Sequence, residues 1–399
     1  MVTIEKTGPE FSLTEPGFFL RPDYFDVLGF LRRHQPLRRT ADGLLAVTRY
    51  EDIRAISRDP ARFVSGRGVL VNDPLRDPAG TGRNTWSILH LDPPLHGAYR
   101  TLVNRQFTPR AVATLAGRIR EVVTGVLGTV PTGSAIEFVD EVAAPIPITV
   151  IAEMFGVADA DRALFRRWSD AVIESTDRTP GEQAGDLAEM ATFLMEHVNS
   201  PRTESNDLLT LLKGSVLEDR PLSQAEIMGF CMTLLVAGNE TTRTLISGGV
   251  EALARHPDQQ AVLAGDPSLI AAGVEEILRW VTPIQAFGRT ATVDVEIAGA
   301  TVGAGEFVVM LYASANRDEA VFGPTADRFV VTRPSLPTHL AFGFGEHVCI
   351  GASLARLEAR ILFEELLARF PAFELSGEPT YTLSTLVRGA RALPVVLAP

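Results

Sequence analysis

The sequence is poor in cysteine and lysine and has no long apolar run. Only Cys231 and Cys349 are cysteines, which excludes a disulfide framework and a zinc site built from several cysteines. Of the 37 basic residues only Lys6 and Lys213 are lysines, and no polybasic cluster is present. No stretch approaches the ~18 consecutive apolar residues of a membrane-spanning helix. The net charge of −12 disfavours a nucleic-acid partner, because phosphate would be repelled.

The rest of the composition is that of a globular protein. Apolar residues make up 46% of the 399 residues and charged residues 22%, which suits a sizeable core and argues against disorder. The 26 prolines and 33 glycines are scattered and mark no linker, so we expect a single domain over residues 1–399. The N-terminal segment is polar and acidic. We therefore expect a cytoplasmic monomer without a signal peptide or membrane anchor.

Hydrophobic periodicity predicts a mainly α protein with small β-sheets. Three portions are β-rich, at about 37–50, 293–312 and 375–399, and the remainder is predicted to be helical. Asp42-Gly43 supplies the turn of a hairpin in the first portion. Residues 67–92 form a long irregular stretch that carries apolar side chains, which is more typical of a lid or binding loop than of a linker.

One long helix is predicted in the middle of the chain. Ser223 and Glu226 have the spacing of a capping box, and the helical pattern runs to Arg255 and His256, where Pro257 stops it. About 32 residues at ~1.5 Å each would span roughly 48 Å. Such a helix could cross the whole molecule.

The middle of this helix is unusually polar. Gly238 is unfavourable in a helix interior by about 1 kcal/mol, and four polar residues follow it at 239–242. Since consecutive residues point to every side of a helix, some of these must face inward. The Thr241 hydroxyl can bond the Ala237 carbonyl, open the helix ladder and leave a groove. An acid at Glu240 beside a hydroxyl and a gap suits dioxygen bound to a metal.

Cys349 lies in a glycine-rich loop, residues 341–351, before a strong amphipathic helix. The positive end of that helix would stabilise a thiolate, which can ligate a metal. Two other interpretations stay open from the loop alone. Cys349 could be a small buried hydrophobe, or it could pair with His347 as a nucleophile, although their spacing is awkward. A c-type haem is excluded because the chain has no C-x-x-C-H motif.

The loop pattern F-x-x-G-x-H-x-C-x-G resembles the haem-binding loop of the cytochromes P450, the haem-thiolate monooxygenases. Its members here are Phe342, Gly345, His347, Cys349 and Gly351. Two further motifs of that family match in the expected order, A-G-x-(D/E)-T at 237–241 and E-x-x-R at 276–279. The length and spacings are similar to the soluble, bacterial, ferredoxin-dependent type. The resemblance implies the family's triangular prism, with the long helix over the haem.

The resemblance also implies a set of site residues around haem b (heme b, iron protoporphyrin IX). Cys349 would be the axial ligand of the iron, Thr241 would steady iron-bound oxygen, and Glu240 would relay protons to it. Glu276 and Arg279 would form a buried structural pair, whereas the spacing alone also fits a surface ion pair. The other implied cofactor contacts are His96, Arg100, Arg289 and His347 at the propionates, with Phe342, Gly343, Gly351, Ala237 and Gly238.

The implied reaction inserts one oxygen atom of O2 into a C–H bond. The sequence has no flavin or nicotinamide fingerprint, so electrons must come from a partner. The resemblance implies that this partner is a ferredoxin, supplied from NAD(P)H by a ferredoxin reductase, and we expect it to dock near Arg356 or Arg360. We expect a hydrophobic substrate, such as a sterol, terpenoid, branched lipid or polyketide. The expected lining residues are Ile88, Leu89, Leu234, Ala237, Thr241, Ile284, Phe287 and Leu386.

Two other functions remain open at this stage. A haem-thiolate peroxygenase would take peroxide directly, but that class typically lacks the acid–alcohol pair present at Glu240 and Thr241. A haem sensor or a carrier of lipophilic molecules would bind haem without forming a product.

Overall fold

Helices predominate in the computed structural model, which describes residues 8–76, 87–157, 161–162, 164–165, 167–168, 171, 184–199, 207–334 and 336–398. The helices are α1 (Tyr24–His34), α2 (Tyr50–Ser57), α3 (Leu95–Asn104), α4 (Pro109–Ala113), α5 (Ala116–Thr129), α6 (Pro145–Met154), α7 (Ala184–Asn199), α8 (Leu208–Lys213), α9 (Gln224–Arg255), α10 (Pro257–Gly265), α11 (Ile270–Val281), α12 (Tyr312–Ala315), α13 (Glu319–Phe322) and α14 (Ala352–Arg369). The strands are β1 (Leu37–Arg39), β2 (Leu45–Val47), β3 (Phe63–Val64), β4 (Ala135–Glu137), β5 (Val216–Leu217), β6 (Arg220–Pro221), β7 (Ala286–Ala291), β8 (Val295–Ile297), β9 (Ala300–Val302), β10 (Phe307–Leu311), β11 (Ala372–Leu375), β12 (Thr380–Tyr381), β13 (Ala390–Ala392) and β14 (Pro394–Ala398).

The long central helix α9 has the bounds that the sequence predicts. Its 32 residues begin after the N-cap Ser223, whose hydroxyl accepts a hydrogen bond from the Glu226 N–H at 3.3 Å. The Glu226 carboxylate returns the bond by accepting from the Ser223 N–H at 2.7 Å, which completes the capping box. A Cβ on Gly249 would lie 2.7 Å from the Phe363 ring of α14. Helix α9 therefore passes through the helical core in close contact with its neighbours.

A five-stranded sheet stands beside the helices in the order β1-β2-β10-β7-β3. Strands β2 and β10 are parallel, with Val308 opposite Leu45, and the other neighbours are antiparallel. Gly43 takes a φ of +82° in the β1–β2 turn, as the hairpin prediction requires. A second sheet joins the C-terminal β11 and β14 to β4.

The prediction of a helical remainder outside the three β-rich portions is wrong in several places. Strands β3, β4, β5, β6 and β7 lie outside those portions, and the first portion ends at Val47 because Tyr50 already begins α2. Strand β7 was missed for a physical reason. Five of its six residues are buried, so it has none of the apolar–polar alternation that marks a half-buried strand.

The predicted binding loop at 67–92 is only partly within the described residues. Single turns of 3-10 helix occur at Pro74–Arg76 and Ile88–His90, whereas residues 77–86 lie outside the description. The loop is anchored at its end by Asp92, which accepts hydrogen bonds from the N–H groups of Ser65 at 2.7 Å and Gly66 at 2.9 Å. In the described part of the chain, no helix is long and apolar enough to cross a membrane.

Candidate functional site

The glycine-rich loop folds tightly around the Cys349 backbone. The Cys349 N–H donates to the Phe342 carbonyl at 2.8 Å, and Gly351 is the N-cap of α14. Gly343 and Gly345 adopt φ values of +70° and +73°, which other residues rarely tolerate. A Cβ on Gly345 would also collide with the Ser57 carbonyl of α2. The glycines therefore let the loop close and pack against α2.

The Cys349 thiol is accessible even though the surroundings withdraw it from bulk water. Desolvation raises its pKa, while the Gly351 N–H and the charges of Arg100 and Arg356 act in the opposite direction. The helix end acts on the thiol as the sequence predicts, but in this chain alone desolvation outweighs it. A positive ion at the sulfur would favour the thiolate.

Four basic side chains gather beside the loop. The rings of His96 and His347 have their centroids 4.0 Å apart, and Ser65 Oγ lies 3.2 Å from His347 Nε2. Desolvation, followed by the charges of Arg289, His96 and Arg100, lowers the pKa of His347 to about 2. Burial also lowers the pKa of Arg289, which is only 8% exposed. Such mutual repulsion suits a site that receives anions, and two carboxylates would relieve it.

The middle of α9 presents small and polar groups. Ala237 is exposed although Leu234 and Leu235 before it and Asn239 after it are buried, so its side opens onto a space inside the fold. The Thr241 hydroxyl, one turn away on the same face, donates to the Ala237 carbonyl at 2.7 Å, as predicted. The helix remains continuous through this bond.

Gly238 lies where α9 packs closely against α6, and the cofactor contact expected of it stays a prediction. A Cβ at this position would lie 3.2 Å from Ile151 Cδ1 on α6. That separation is tighter than ordinary van der Waals contact, so the missing side chain is explained by the close approach of the two helices. The sequence alone could not identify this partner, because Ile151 is far away along the chain.

Glu240 is held inside the protein by its own helix. It is 1% exposed and forms an ion pair with Arg243, three residues further along. The Thr244 hydroxyl also donates to Glu240 Oε1 at 3.4 Å. A carboxylate so placed is shielded from water and adjacent to Thr241.

Glu276 and Arg279 form a buried pair, so the alternative of a surface ion pair is wrong. They are 1% and 0% exposed and are joined by hydrogen bonds of 2.8 and 2.7 Å. Arg279 also donates to the carbonyls of Asn316 at 2.7 Å and Ala326 at 2.8 Å. Arg333 donates to the same Glu276 carboxylate at 3.1 Å. Sequence reasoning missed Arg333, because no spacing motif relates it to the pair.

The expected substrate-lining residues fall into two described groups. The turn that carries Ile88 and Leu89 contacts α9, because Ser87 Oγ lies 3.2 Å from Thr233 Oγ1.

The second group comes from the segments after α11 and near the C-terminus. Ile284 forms an isolated β-bridge with Val387. The remaining expected residues are Leu234 on α9, Phe287 on β7, and Leu386, whose carbonyl accepts from the Gln285 N–H at 2.8 Å.

These features fit haem: an exposed cysteine, two arginines and two histidines suited to two carboxylates, and an open helix face. A family model described as Cytochrome P450 matches residues 268–387. The chain is also 39% identical over 378 residues to the Vitamin D(3) 25-hydroxylase of Pseudonocardia autotrophica, with 92% of each protein covered. The chain belongs to the cytochrome P450 family. It is accordingly a monooxygenase that uses haem b.

Other similar proteins point to the same family. The Steroid C26-monooxygenase of Mycolicibacterium smegmatis is 32% identical over 401 residues, covering 98% of this cytochrome P450 and 97% of the relative. The solved structure of Mycobacterium marinum cytochrome P450 CYP268A2 in complex with pseudoionone superposes with a TM-score of 0.87. It is 33% identical, with 98% of this chain and all of that chain covered. The mainly α fold with small sheets is thereby confirmed.

Proposed function

We propose that this cytochrome P450 hydroxylates a C–H bond of a hydrophobic small molecule. One oxygen atom of O2 enters R–H to give R–OH, and the other leaves as water with two electrons and two protons. The electrons come from NAD(P)H through a ferredoxin reductase and a ferredoxin. The observation that carries the proposal is the acid–alcohol pair, Glu240 and Thr241, on the face of α9 that opens at Ala237.

The cysteine loop and the basic group hold the cofactor in this proposal. Cys349 ligates the iron through its sulfur, and the loop glycines let the backbone approach a flat ring. His96, Arg100, Arg289 and His347 would receive the propionates, whose negative charges would offset the positive charges of Arg100 and Arg289 beside the two imidazoles. Haem, when bound, supplies the chemistry that activates O2.

On α9, Thr241 and Glu240 transfer protons to the reaction site. The Thr241 hydroxyl, which donates to the Ala237 carbonyl, can accept a proton while remaining fixed by that bond. Glu240 carries protons toward it from the side of the helix where Arg243 lies. Because the Glu240 side chain is almost fully buried, water does not bypass this path freely.

The proposed substrate class rests on the lining and on the relatives. The lining residues named above are apolar except for Thr241, so affinity would come mainly from burial of apolar surface. The relatives' names refer to vitamin D3 and to a steroid. A sterol, terpenoid, branched lipid or polyketide fits this chemistry.

The test is a spectral screen of lipophilic compounds against the ferric protein, followed by product analysis. We expect a sterol-like or terpenoid compound to displace water from the iron and to be hydroxylated when NADPH, a ferredoxin reductase and a ferredoxin are supplied. Glu240→Gln combined with Thr241→Ala should abolish that turnover. If the double variant kept full activity with hydrogen peroxide alone, the protein would be a peroxygenase instead.

A further inference from the structure

A second carboxylate on α11 contacts both segments that flank Cys349. Glu275 accepts two hydrogen bonds from Arg356 on α14, at 2.6 Å from Nε and 3.0 Å from Nη2. On its other side, His339 Nε2 lies 3.3 Å from Glu275 Oε2. Residue 339 precedes the cysteine loop and residue 356 follows it. Glu275 therefore joins the chain before the sulfur to the chain after it.

The contacts of His339 and the pKa of Glu275 describe how these two residues interact. The Ala341 N–H donates to His339 Nδ1 at 3.2 Å, so Nδ1 is an acceptor, and the 3.3 Å approach of Nε2 to the Glu275 carboxylate is a close contact without hydrogen-bond alignment. Although burial alone would raise it, the pKa of Glu275 is lowered to about 2 by His339 and Arg356. Glu275 is thus a charged acceptor that holds Arg356, and it lies in contact with His339 just before the loop.

Arg356 connects Glu275 to the surroundings of the sulfur. Its guanidinium carbon lies 4.5 Å from the centre of the Phe342 ring, and the Phe342 carbonyl accepts the Cys349 N–H. The positive charge of Arg356 favours the thiolate form of Cys349. Its guanidinium is paired with Glu275, so the two charges act together on their surroundings.

We propose that Glu275 is a positioning residue that sets the charge felt by the Cys349 sulfur, by holding Arg356 against Phe342 and partly neutralising it. The inference rests on the proposed ligation of haem iron by Cys349. Positive charge near the sulfur and iron favours the reduced, more negative state of the centre. The two members of the pair should therefore act on the reduction equilibrium in opposite directions.

The test measures the ferrous-to-ferric ratio of the holoprotein at a fixed potential. Glu275→Gln leaves Arg356 without its counter-charge and should raise the ratio by about threefold, the scale of a partly exposed charge pair. Arg356→Gln leaves the carboxylate alone and should lower the ratio by a similar factor. Arg356→Lys keeps the charge and should lie closer to the parent than Arg356→Gln.

Glu364→Gln is the matched control. Glu364 lies on the same helix as Arg356 and, like Glu275, pairs with arginine: its carboxylate is 2.5 Å from Arg120 Nη2 and 3.5 Å from Arg360 Nε. The substitution therefore makes the same change in net charge away from the loop. We expect this variant to keep the parent ratio. Equal shifts in Glu364→Gln and Glu275→Gln would overturn the inference, because they would reflect net charge alone.

The ferrous–CO spectrum separates this inference from the ligand assignment. If the parent shows the thiolate spectrum and both Glu275→Gln and Arg356→Gln shift the ratio in the same direction, the contact is merely structural and the inference is overturned. If the parent lacks the thiolate spectrum, the ligation of iron by Cys349 fails, and this inference fails with it. Opposite shifts with the thiolate spectrum retained support it.

Discussion

The two walls of the haem site, the cysteine loop and the middle of α9, are held by contacts of different range. Around the loop the contacts join distant segments, as when Arg279 donates to the Asn316 carbonyl and the Leu340 N–H donates to Asn316 Oδ1 at 2.6 Å. In the middle of α9 the polar contacts described above join residues three or four apart, as between Thr241 and the Ala237 carbonyl, although Gly238 also packs on α6.

Because of this difference, we expect substitutions in the two walls to have different effects. A loop fixed by long-range contacts depends on the whole fold, so substitutions there should impair folding and cofactor retention together. A helix face fixed by its own turns keeps its backbone when one side chain changes, so substitutions there should alter turnover while haem stays bound. The predictions below run from the largest expected effect to the smallest.

Glu276→Gln should have the largest effect, because it removes the carboxylate that pairs with both Arg279 and Arg333. Breaking a buried ion pair costs about 3–5 kcal/mol. We expect little folded holoprotein, measured as the haem-to-protein ratio after purification together with the melting temperature. Glu364→Gln on the surface of α14 should behave like the parent. A Glu276→Gln protein as stable and as haem-replete as the parent would contradict the long-range account of this wall.

Thr241→Ala should act locally on the other wall. Haem content, melting temperature and substrate-induced spectral change should match the parent, because only the hydroxyl bond to the Ala237 carbonyl is lost. Product formation should fall by up to about a hundredfold, the scale of a lost proton-transfer group, while the electrons appear as hydrogen peroxide. The measurement is product and peroxide per NADPH consumed. Unchanged coupling would remove Thr241 from the proton path.

Arg100→Ala tests the basic group between the two walls. Loss of one charge-assisted contact to a propionate should speed haem transfer to a haem acceptor protein by about tenfold. Arg105→Ala, five residues further along the chain, is the control and should retain haem like the parent. Equal retention in both variants would exclude Arg100 from the propionate set.

The smallest expected effect is on the pH dependence of stability, and it comes from Glu358. This residue lies on α14, seven residues after the loop ends, and its carboxyl group is buried. Desolvation raises its pKa from 4.5 to about 8. The folded chain therefore keeps a proton that the unfolded chain releases, and stability falls as pH rises from about 4.5 to 8. Glu358→Gln removes this titration, so its melting temperature should exceed that of the parent by a few degrees at the upper end of the window and by less at the lower end. A constant difference across that window would show that Glu358 does not titrate there.

The sequence was most informative where contacts are local. The capping box at Ser223 and Glu226, the bounds of α9 and the bond from Thr241 to the Ala237 carbonyl all depend on spacings of three or four residues. The glycine-rich loop was also found, since its glycines need positive φ values. These features can be inferred from a single stretch of chain.

The sequence was least informative where the fold brings distant residues together. Arg333 also binds the Glu276 carboxylate, but no sequence motif relates the two residues. Glu275 is not part of the E-x-x-R motif, although it contacts the segments before and after the cysteine loop. The close packing of Gly238 on Ile151 and the fully buried strand β7 also depend on tertiary contacts. The same limit applies to the raised pKa of Cys349, because desolvation is a property of the folded chain.

The most direct test of the account is the ferrous–CO spectrum of Cys349→Ser beside that of Cys231→Ser. Cys231 is buried on α9 and serves as the control for losing a thiol. We predict that Cys231→Ser keeps the spectrum of a thiolate-ligated haem and that Cys349→Ser loses it. A thiolate spectrum retained in Cys349→Ser would contradict the assignment of Cys349 as the iron ligand.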